Sequence, residues 1–313
     1  MKTKLVIFGI TGDLSRRKLL PALRKIVASG AAKELQIIGI SRQEVDIRAL
    51  VGAELAKMTK LVTMDLAERA AYTALKRRIS PRKGEQTLIY LSVPPTAATR
   101  IANYLGEAGI NGKSVRLLFE KPFGLDLESA KEMVERTSNY FSEAQMYRID
   151  HYLAKEMAQN IVAFRANNAI FRQLWGGNGI ERIEIRAFEA IGIAGRAQFY
   201  EQTGALRDVL QGHLMQLLAL VLMDVPSRLD WSLVPDLRLQ ALRRIASADP
   251  AKSLRAQYHE YRQEVGVPAS QVETFVCVEL ESTASNWETV PLVLMTGKAL
   301  DRIETEIIIK KKK

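Results

Sequence analysis

The stretch KLVIFGITGDLSRRKLLPAL, residues 4–23, decides how the first half of this chain folds. Residues 5–8 form a short aliphatic, β-branched and aromatic run that breaks at Gly9-Ile10-Thr11-Gly12, and a helix-forming stretch follows. Strand, glycine-bearing turn and helix, in that order, open a parallel α/β unit. Two lysines ahead of an apolar run superficially resemble a secretory leader, but the run stops after six residues at Thr11-Gly12-Asp13, so it reads as a first strand.

The alternation continues to about residue 150. Runs at 35–40, 87–93, 115–119 and 145–149 are bounded by glycine, proline or charged residues and separated by amphipathic stretches of helix length. A doubly wound, Rossmann-like α/β domain over residues 1–150 is expected, with ligands bound beyond the carboxyl ends of its strands. Over 151–313 the rhythm changes. Long helical stretches near 153–166 and 204–225 flank an alternating strand at 180–188. A helix at 234–245 and strands at 274–280, 291–295 and 305–309 follow, which predicts an α+β domain on a mainly antiparallel sheet.

Composition narrows the function classes. At 313 residues and 47% hydrophobic, the chain can build two proper cores. Its formal charge of +10 includes the four lysines at 310–313, and the remainder is spread without the dense basic or aromatic-basic stripes of nucleic-acid modules. Small anionic ligands fit better than nucleic acid. The single cysteine, Cys277, sits in a strand-like run, and no Cys/His cluster has zinc-ligand spacing; no metal and a reducing compartment are expected. The longest apolar stretch, 214–223, is far short of the roughly 20 residues of a membrane span, so a soluble, cytoplasmic protein is expected. The lysine tail is expected to hang in solvent.

After the first strand, backbone N–H groups of the turn face whatever sits at the helix N-terminus, a place that suits a pyrophosphate. The residues to contact it are Gly9, Thr11, Gly12, Asp13 and Leu14, with Lys18 further on. Spacing is Gly-x-x-Gly, and no Gly-Lys-Ser/Thr follows, so this is not a P-loop, and a plain strand-to-helix turn would look alike. Asp13 also reads as a helix-cap acid, and Lys18 as a surface lysine. Context favours a dinucleotide, because the second strand ends Ile40-Ser41-Arg42 where an NAD-specific fold places an acid on the ribose 2′-hydroxyl. Arg42 would attract a 2′-phosphate, so NADP⁺ is expected, with NAD⁺ the alternative; a solvated surface arginine is the other reading.

Six motifs then fall in order: GITGDLSRRKL (9–19), YLSVPPT (90–96), EKPFG (120–124), RIDHYLAKE (148–156), FYEQTGALRDVLQGHLMQLL (199–218) and TGKAL (296–300). Together they resemble glucose-6-phosphate dehydrogenases across nearly the whole chain. The resemblance implies oxidation of glucose 6-phosphate at C1 with hydride transfer to NADP⁺, which needs a base, a carboxylate to orient it and a nicotinamide face. Of the three histidines, His151, His213 and His259, the resemblance makes His213 the base and Asp150 its partner. Without it, a histidine in an apolar helix would read as structural. By the same resemblance His151, Tyr152 and Lys155 hold the sugar phosphate, with Tyr152 expected to open a helix whose N–H groups assist. Lys121 reaches sugar and nicotinamide, and Pro122 shapes the backbone through an X-Pro bond open to the cis form. Pro94 and Pro95 turn the chain over the cofactor. Glu189 and Asp208 hold sugar hydroxyls, or else pair with Arg196 or Arg207. Lys298 is a second phosphate contact.

Four departures from the family pattern stand out. Ala154 replaces a usual Gly, Gly212 replaces the Asn before the base, and Ile303, with Arg302 beside it, stands where a basic residue is usual. The family also continues with strands that complete the second domain and its oligomer contacts, whereas this chain stops at IIIKKKK, so a homodimer with a reduced contact surface is expected. Lysines beside such an edge would discourage strand pairing. A competing reading is a catalytically weak regulatory paralogue that binds NADP and sugar phosphate.

Overall fold

The computed structural model describes residues 1–313 apart from Leu125, Ala194, Ser227 and the side chain of Ala169. The chain divides into two compact units, Met1–Ile149 and Asp150–Lys313. The first holds strands β1 (Lys2–Phe8), β2 (Leu35–Ser41), β3 (Thr59–Thr63), β4 (Glu85–Leu91), β5 (Val115–Phe119) and β6 (Met146–Arg148). All pair in parallel, in the order β3-β2-β1-β4-β5-β6. Because alternate side chains leave opposite faces of a strand, β1 feeds two cores. Val6 and Phe8 join one cluster with Ile38, Ile40, Ile89 and Leu91, while Ile7 joins the other with Ile37 and Tyr90. Helices α1 (Leu20–Ala28), α2 (Arg69–Ile79), α3 (Pro95–Glu107) and α4 (Leu127–Ser138) supply the crossovers. Strand order reverses about β1, which has β2 on one side and β4 on the other, so the crevice at their carboxyl ends is where such a sheet takes a ligand.

The second unit is a five-stranded sheet, with β7 (Ile180–Phe188), β8 (Ser253–Ala256), β9 (Phe275–Leu280), β10 (Leu292–Gly297) and β11 (Glu304–Lys311) in the order β11-β7-β10-β9-β8. Only β7 and β10 pair in parallel; the other pairings are antiparallel. One face is packed by α5 (Glu156–Asn167), α6 (Ala197–Leu222) and α7 (Val234–Arg243). Leu210, Leu214, Leu217 and Val221 of α6 meet the inward residues Ile183, Ile185, Val278 and Leu294 in one core.

Helix α6 is long and apolar enough to cross a membrane, but 61% of its most apolar window is buried against this sheet, which is how a core helix behaves. It is broken at Gly204 and π-helical over Leu206–Leu214. Three expectations are corrected. The turn after Asp150 runs to residue 154 and α5 opens only at Glu156, so Tyr152 does not start a helix. Asp13 makes no cap; it lies in the first helical turn with its carboxylate 3.5 Å from Arg17. The lysine tail does not hang free, because β11 runs through Lys311, Lys310 Nζ donates to Glu181 at 2.7 Å and the Lys312 N–H donates to Gly179 O at 2.9 Å.

Candidate active site

In the first unit the turn after β1 is drawn close to the end of β4. Gly9 has φ +79°, and a Cβ there would fall 2.3 Å from the Ser92 carbonyl oxygen, so no larger residue fits. Gly12 N–H donates to Gly9 O at 2.9 Å, and the buried Ser15 hydroxyl donates to the same oxygen at 2.9 Å, which fixes the turn carrying Thr11 and Gly12. Asp13, Leu14 and Lys18 follow with their side chains exposed. Arg42 is exposed just beyond β2, and Pro94 and Pro95 begin α3 just beyond β4. After β5 come Glu120 and Lys121, and the Lys121–Pro122 bond is cis. The Tyr90 hydroxyl donates to the Glu120 carboxylate; burial first, and that hydrogen bond second, push the phenol well above its ordinary range. Gly9, Thr11, Gly12, Arg42, Pro94, Lys121 and Pro122 thus all lie at strand carboxyl ends, and no carboxylate follows β2 directly.

The second unit gathers the other set. His213 Nδ1 donates to Asp150 Oδ1 at 2.7 Å, and both side chains are almost wholly buried. A carboxylate only accepts, so this contact places the ring proton on Nδ1 and leaves the Nε2 lone pair as the basic site. The same Oδ1 accepts the Tyr152 N–H at 2.9 Å. The Tyr152 ring stacks on His213 with centroids 4.5 Å apart, and His151 lies edge-on to His213 at 4.6 Å. Lys155 Nζ stands 4.1 Å over the Tyr152 ring and donates to Thr305 Oγ1 at 3.1 Å. Its pKa is lowered by burial, partly offset by the Glu189 charge.

Lys298, 3% exposed, donates to Glu189 at 2.7 Å, so the carboxylate pairs with that lysine rather than with Arg196 or Arg207. Burial raises the Asp208 carboxyl above its usual range against the pull of Arg196, Lys298 and His213. Burial foremost, with the charges of Glu189, Asp208 and Asp150, pushes the Tyr152 phenol up to about 12, so it stays a neutral donor at physiological pH. His259 is exposed and outside this group. Tyr200, which lies inside the 199–218 motif but was not singled out there, and Thr305 also belong to it; Lys298 Nζ lies 5.6 Å from the Tyr200 ring centroid. At Gly212 an added Cβ would lie 3.2 Å from the Arg207 carbonyl oxygen, so a larger residue needs this π-helical turn to give by a few tenths of an ångström.

Among the described residues, ligand atoms of Asp150, His151 and His213 lie within 4.8 Å of one another. The Asp150–His213 hydrogen bond gives that pair the geometry of an imidazole oriented by a carboxylate, as in hydrolase triads.

Comparison with known proteins places the sequence and the fold in a family. Residues 6–160 match the family model "Glucose-6-phosphate dehydrogenase, NAD binding domain", and residues 162–313 match "Glucose-6-phosphate dehydrogenase, C-terminal domain". The chain belongs to the glucose-6-phosphate dehydrogenase family. It is 34% identical to the glucose-6-phosphate 1-dehydrogenase of Rhizobium meliloti, over 97% of this chain and 69% of that relative. The crystal structure of the Mycobacterium avium glucose-6-phosphate 1-dehydrogenase superposes with a TM-score of 0.90 at 32% identity, covering 100% of this chain and 73% of that one. A second, titled "Glucose-6-phosphate dehydrogenase in complex with its substrate glucose-6-phosphate", also gives 0.90, at 28% identity over 99% of this chain and 72% of that one. The matches establish a nicotinamide-binding dehydrogenase on a parallel sheet joined to a mixed-sheet domain.

Proposed function

We propose that this family member oxidises glucose 6-phosphate at C1 to 6-phosphogluconolactone, the first step of the oxidative pentose phosphate pathway, with NADP⁺ as acceptor. The observation that carries the reading is the buried Asp150–His213 pair at 2.7 Å, flanked by His151, Tyr152 and Lys155. His213 Nε2 takes the C1 hydroxyl proton while the hydride leaves C1, and Asp150 stabilises the imidazolium that forms. His151, Tyr152 and Lys155 hold the phosphate dianion: a cation, an imidazole and a phenol that remains protonated. Glu189 and Asp208 accept from sugar hydroxyls, Lys298 both fixes Glu189 and adds positive charge, and Lys121 reaches sugar and nicotinamide.

The residues around the β1 turn suit a dinucleotide, since Gly9 lets the turn close against the end of β4 ahead of the helix N-terminus and Arg42 suits a 2′-phosphate. Pro94 and Pro122 shape the walls on either side. Bound NADP⁺ supplies the hydride acceptor. A cytoplasmic homodimer suits the unpaired Cys277 and the family, and nothing in the basic charge pattern suits nucleic acid. The test is a panel of glucose 6-phosphate, galactose 6-phosphate and free glucose, each with NADP⁺ and NAD⁺, followed at the reduced-nicotinamide absorbance band. Turnover with glucose 6-phosphate and NADP⁺ above every other pair is expected; equal turnover of free glucose would overturn the phosphate assignment.

A further inference from the structure

The turn that carries Lys298 is built on a backbone conformation that its sequence makes costly. Ala299 has φ +53°, and among the described residues no other residue bearing a Cβ has a positive φ. A Cβ crowds the neighbouring carbonyl in this left-handed region, so glycine takes it at lower cost. An alanine stays there only where its surroundings over-determine the backbone, and such strain gathers at functional sites.

Main-chain hydrogen bonds on both sides supply that constraint. Lys298 N–H donates to Thr274 O at 2.9 Å, Ala299 N–H to Ile191 O at 3.0 Å and Leu300 N–H to Glu189 O at 3.1 Å, while Glu189 N–H donates back to Gly297 O at 2.9 Å. Gly297 ends β10 with Phe275 closed over it, since a Cβ there would fall 2.6 Å from the ring. The left-handed step at Ala299 turns the chain after β10, so that residues 299 and 300 meet the segment after β7 instead of running on as strand. Both main-chain groups of Glu189 are thereby used, one on each side of Lys298. The same two residues also meet through their side chains. Lys298 Nζ, on a side chain only 3% exposed, donates to the Glu189 carboxylate at 2.7 Å. The ion pair therefore stands on a main-chain clamp whose one strained member is Ala299.

We propose that Ala299 is a positioning residue: its left-handed backbone, narrowed by the Cβ, holds Lys298 and Glu189 in the arrangement that binds the sugar phosphate. The inference rests on the assignment of Lys298 and Glu189 to glucose 6-phosphate. It adds the device that aims them, and it accounts for an alanine where glycine would relieve the strain.

The test compares Ala299→Gly and Ala299→Asn with the unaltered protein. Glycine reaches the same φ but widens the range of backbone angles, whereas asparagine tolerates the left-handed region and keeps a Cβ. In the Gly variant, relief of strain and the added freedom of the unfolded chain oppose each other, so Tm should stay within about 3 °C. Its KM for glucose 6-phosphate should rise about tenfold, with kcat and the KM for NADP⁺ changed by less than about threefold. The Asn variant should match the unaltered protein within about threefold in all three. A merely structural role makes binding follow stability. A Gly variant whose KM is unchanged, or one whose KM rises only with a large fall in Tm, overturns the proposal, and so does an Asn variant as impaired as the Gly variant. Amide hydrogen exchange at residues 298–300 reads the clamp without ligand and should quicken about tenfold in the Gly variant; unchanged exchange contradicts the proposal. Should the Asn variant not fold, the Gly variant decides through Tm, KM and exchange. Calorimetric titration with glucose 6-phosphate repeats the comparison without turnover. A protein that binds glucose 6-phosphate but makes no NADPH, with weaker binding by the Gly variant, sinks the proposed reaction and spares this inference; equal binding by the two, in a protein that does make NADPH, sinks this inference alone.

Discussion

Replacing Asp150 with Asn keeps the shape of the buried pair and removes its charge. The 2.7 Å contact between Nδ1 and Oδ1 puts the centres of the imidazolium and carboxylate charges roughly 4 Å apart. At an effective dielectric of about 20, unit charges at that separation attract by about 4 kcal/mol. An Asn oxygen can still accept from Nδ1, a neutral hydrogen bond that returns about 1 kcal/mol. The net loss of about 3 kcal/mol falls on the transition state, where the imidazolium is forming, and corresponds to a kcat lower by about 100-fold to 1,000-fold. Because the anion favours the protonated ring, its removal should also move the acid limb of the profile to lower pH. Steady-state kinetics at saturating substrates, repeated across pH, measures both. An Asn variant within threefold of the original kcat, or one whose limb moves to higher pH, would refute the reasoning.

Lys155→Met removes the ammonium beside Tyr152 and should raise the KM for glucose 6-phosphate by about 10-fold to 100-fold, the value of a charge-assisted contact, while free-glucose turnover, if any, is unchanged. Arg42→Ala should raise the KM for NADP⁺ more than that for NAD⁺; equal effects on the two would dismiss Arg42 as a 2′-phosphate ligand. Asp208 is raised by burial, so its ionisation costs the folded state above the ordinary carboxylate range, and that cost vanishes below it. Asp208→Asn should accordingly raise Tm at pH 7, with the gain shrinking as the pH falls through that range, and should weaken sugar binding. Leu217→Ala, at a fully buried site in α6, should destabilise the second unit by about 3 kcal/mol in chemical denaturation.

Strands β1, β2, β4 and β5 of the first sheet were legible because each carries a run of aliphatic, mostly β-branched or aromatic, residues that feeds a core. Strand β3 escaped because Thr59-Lys-Leu-Val-Thr63 is an edge strand with only two aliphatic residues, and β8 because Leu254, 58% exposed, breaks any inward alternation. The π-helical stretch Leu206–Leu214 has no sequence signature, since its apolar spacing still reads as an ordinary helix. In the site, RIDHYLAKE and the α6 segment could be recognised as motifs, but not the contacts between them. Asp150 and His213 are 63 residues apart, and their 2.7 Å hydrogen bond depends on how α6 packs over the sheet.

The central claim is that His213 is the base of a glucose-6-phosphate dehydrogenase, and it is tested most directly by NADPH formation from glucose 6-phosphate and NADP⁺ with the unaltered protein and with His213→Asn, alongside calorimetric titration of both with glucose 6-phosphate. The account predicts steady NADPH production by the unaltered protein, a rate lower by at least about 1,000-fold in the Asn variant, and similar glucose 6-phosphate affinity in the two. NADPH production by the Asn variant at the unaltered rate, or none from the unaltered protein, would contradict it.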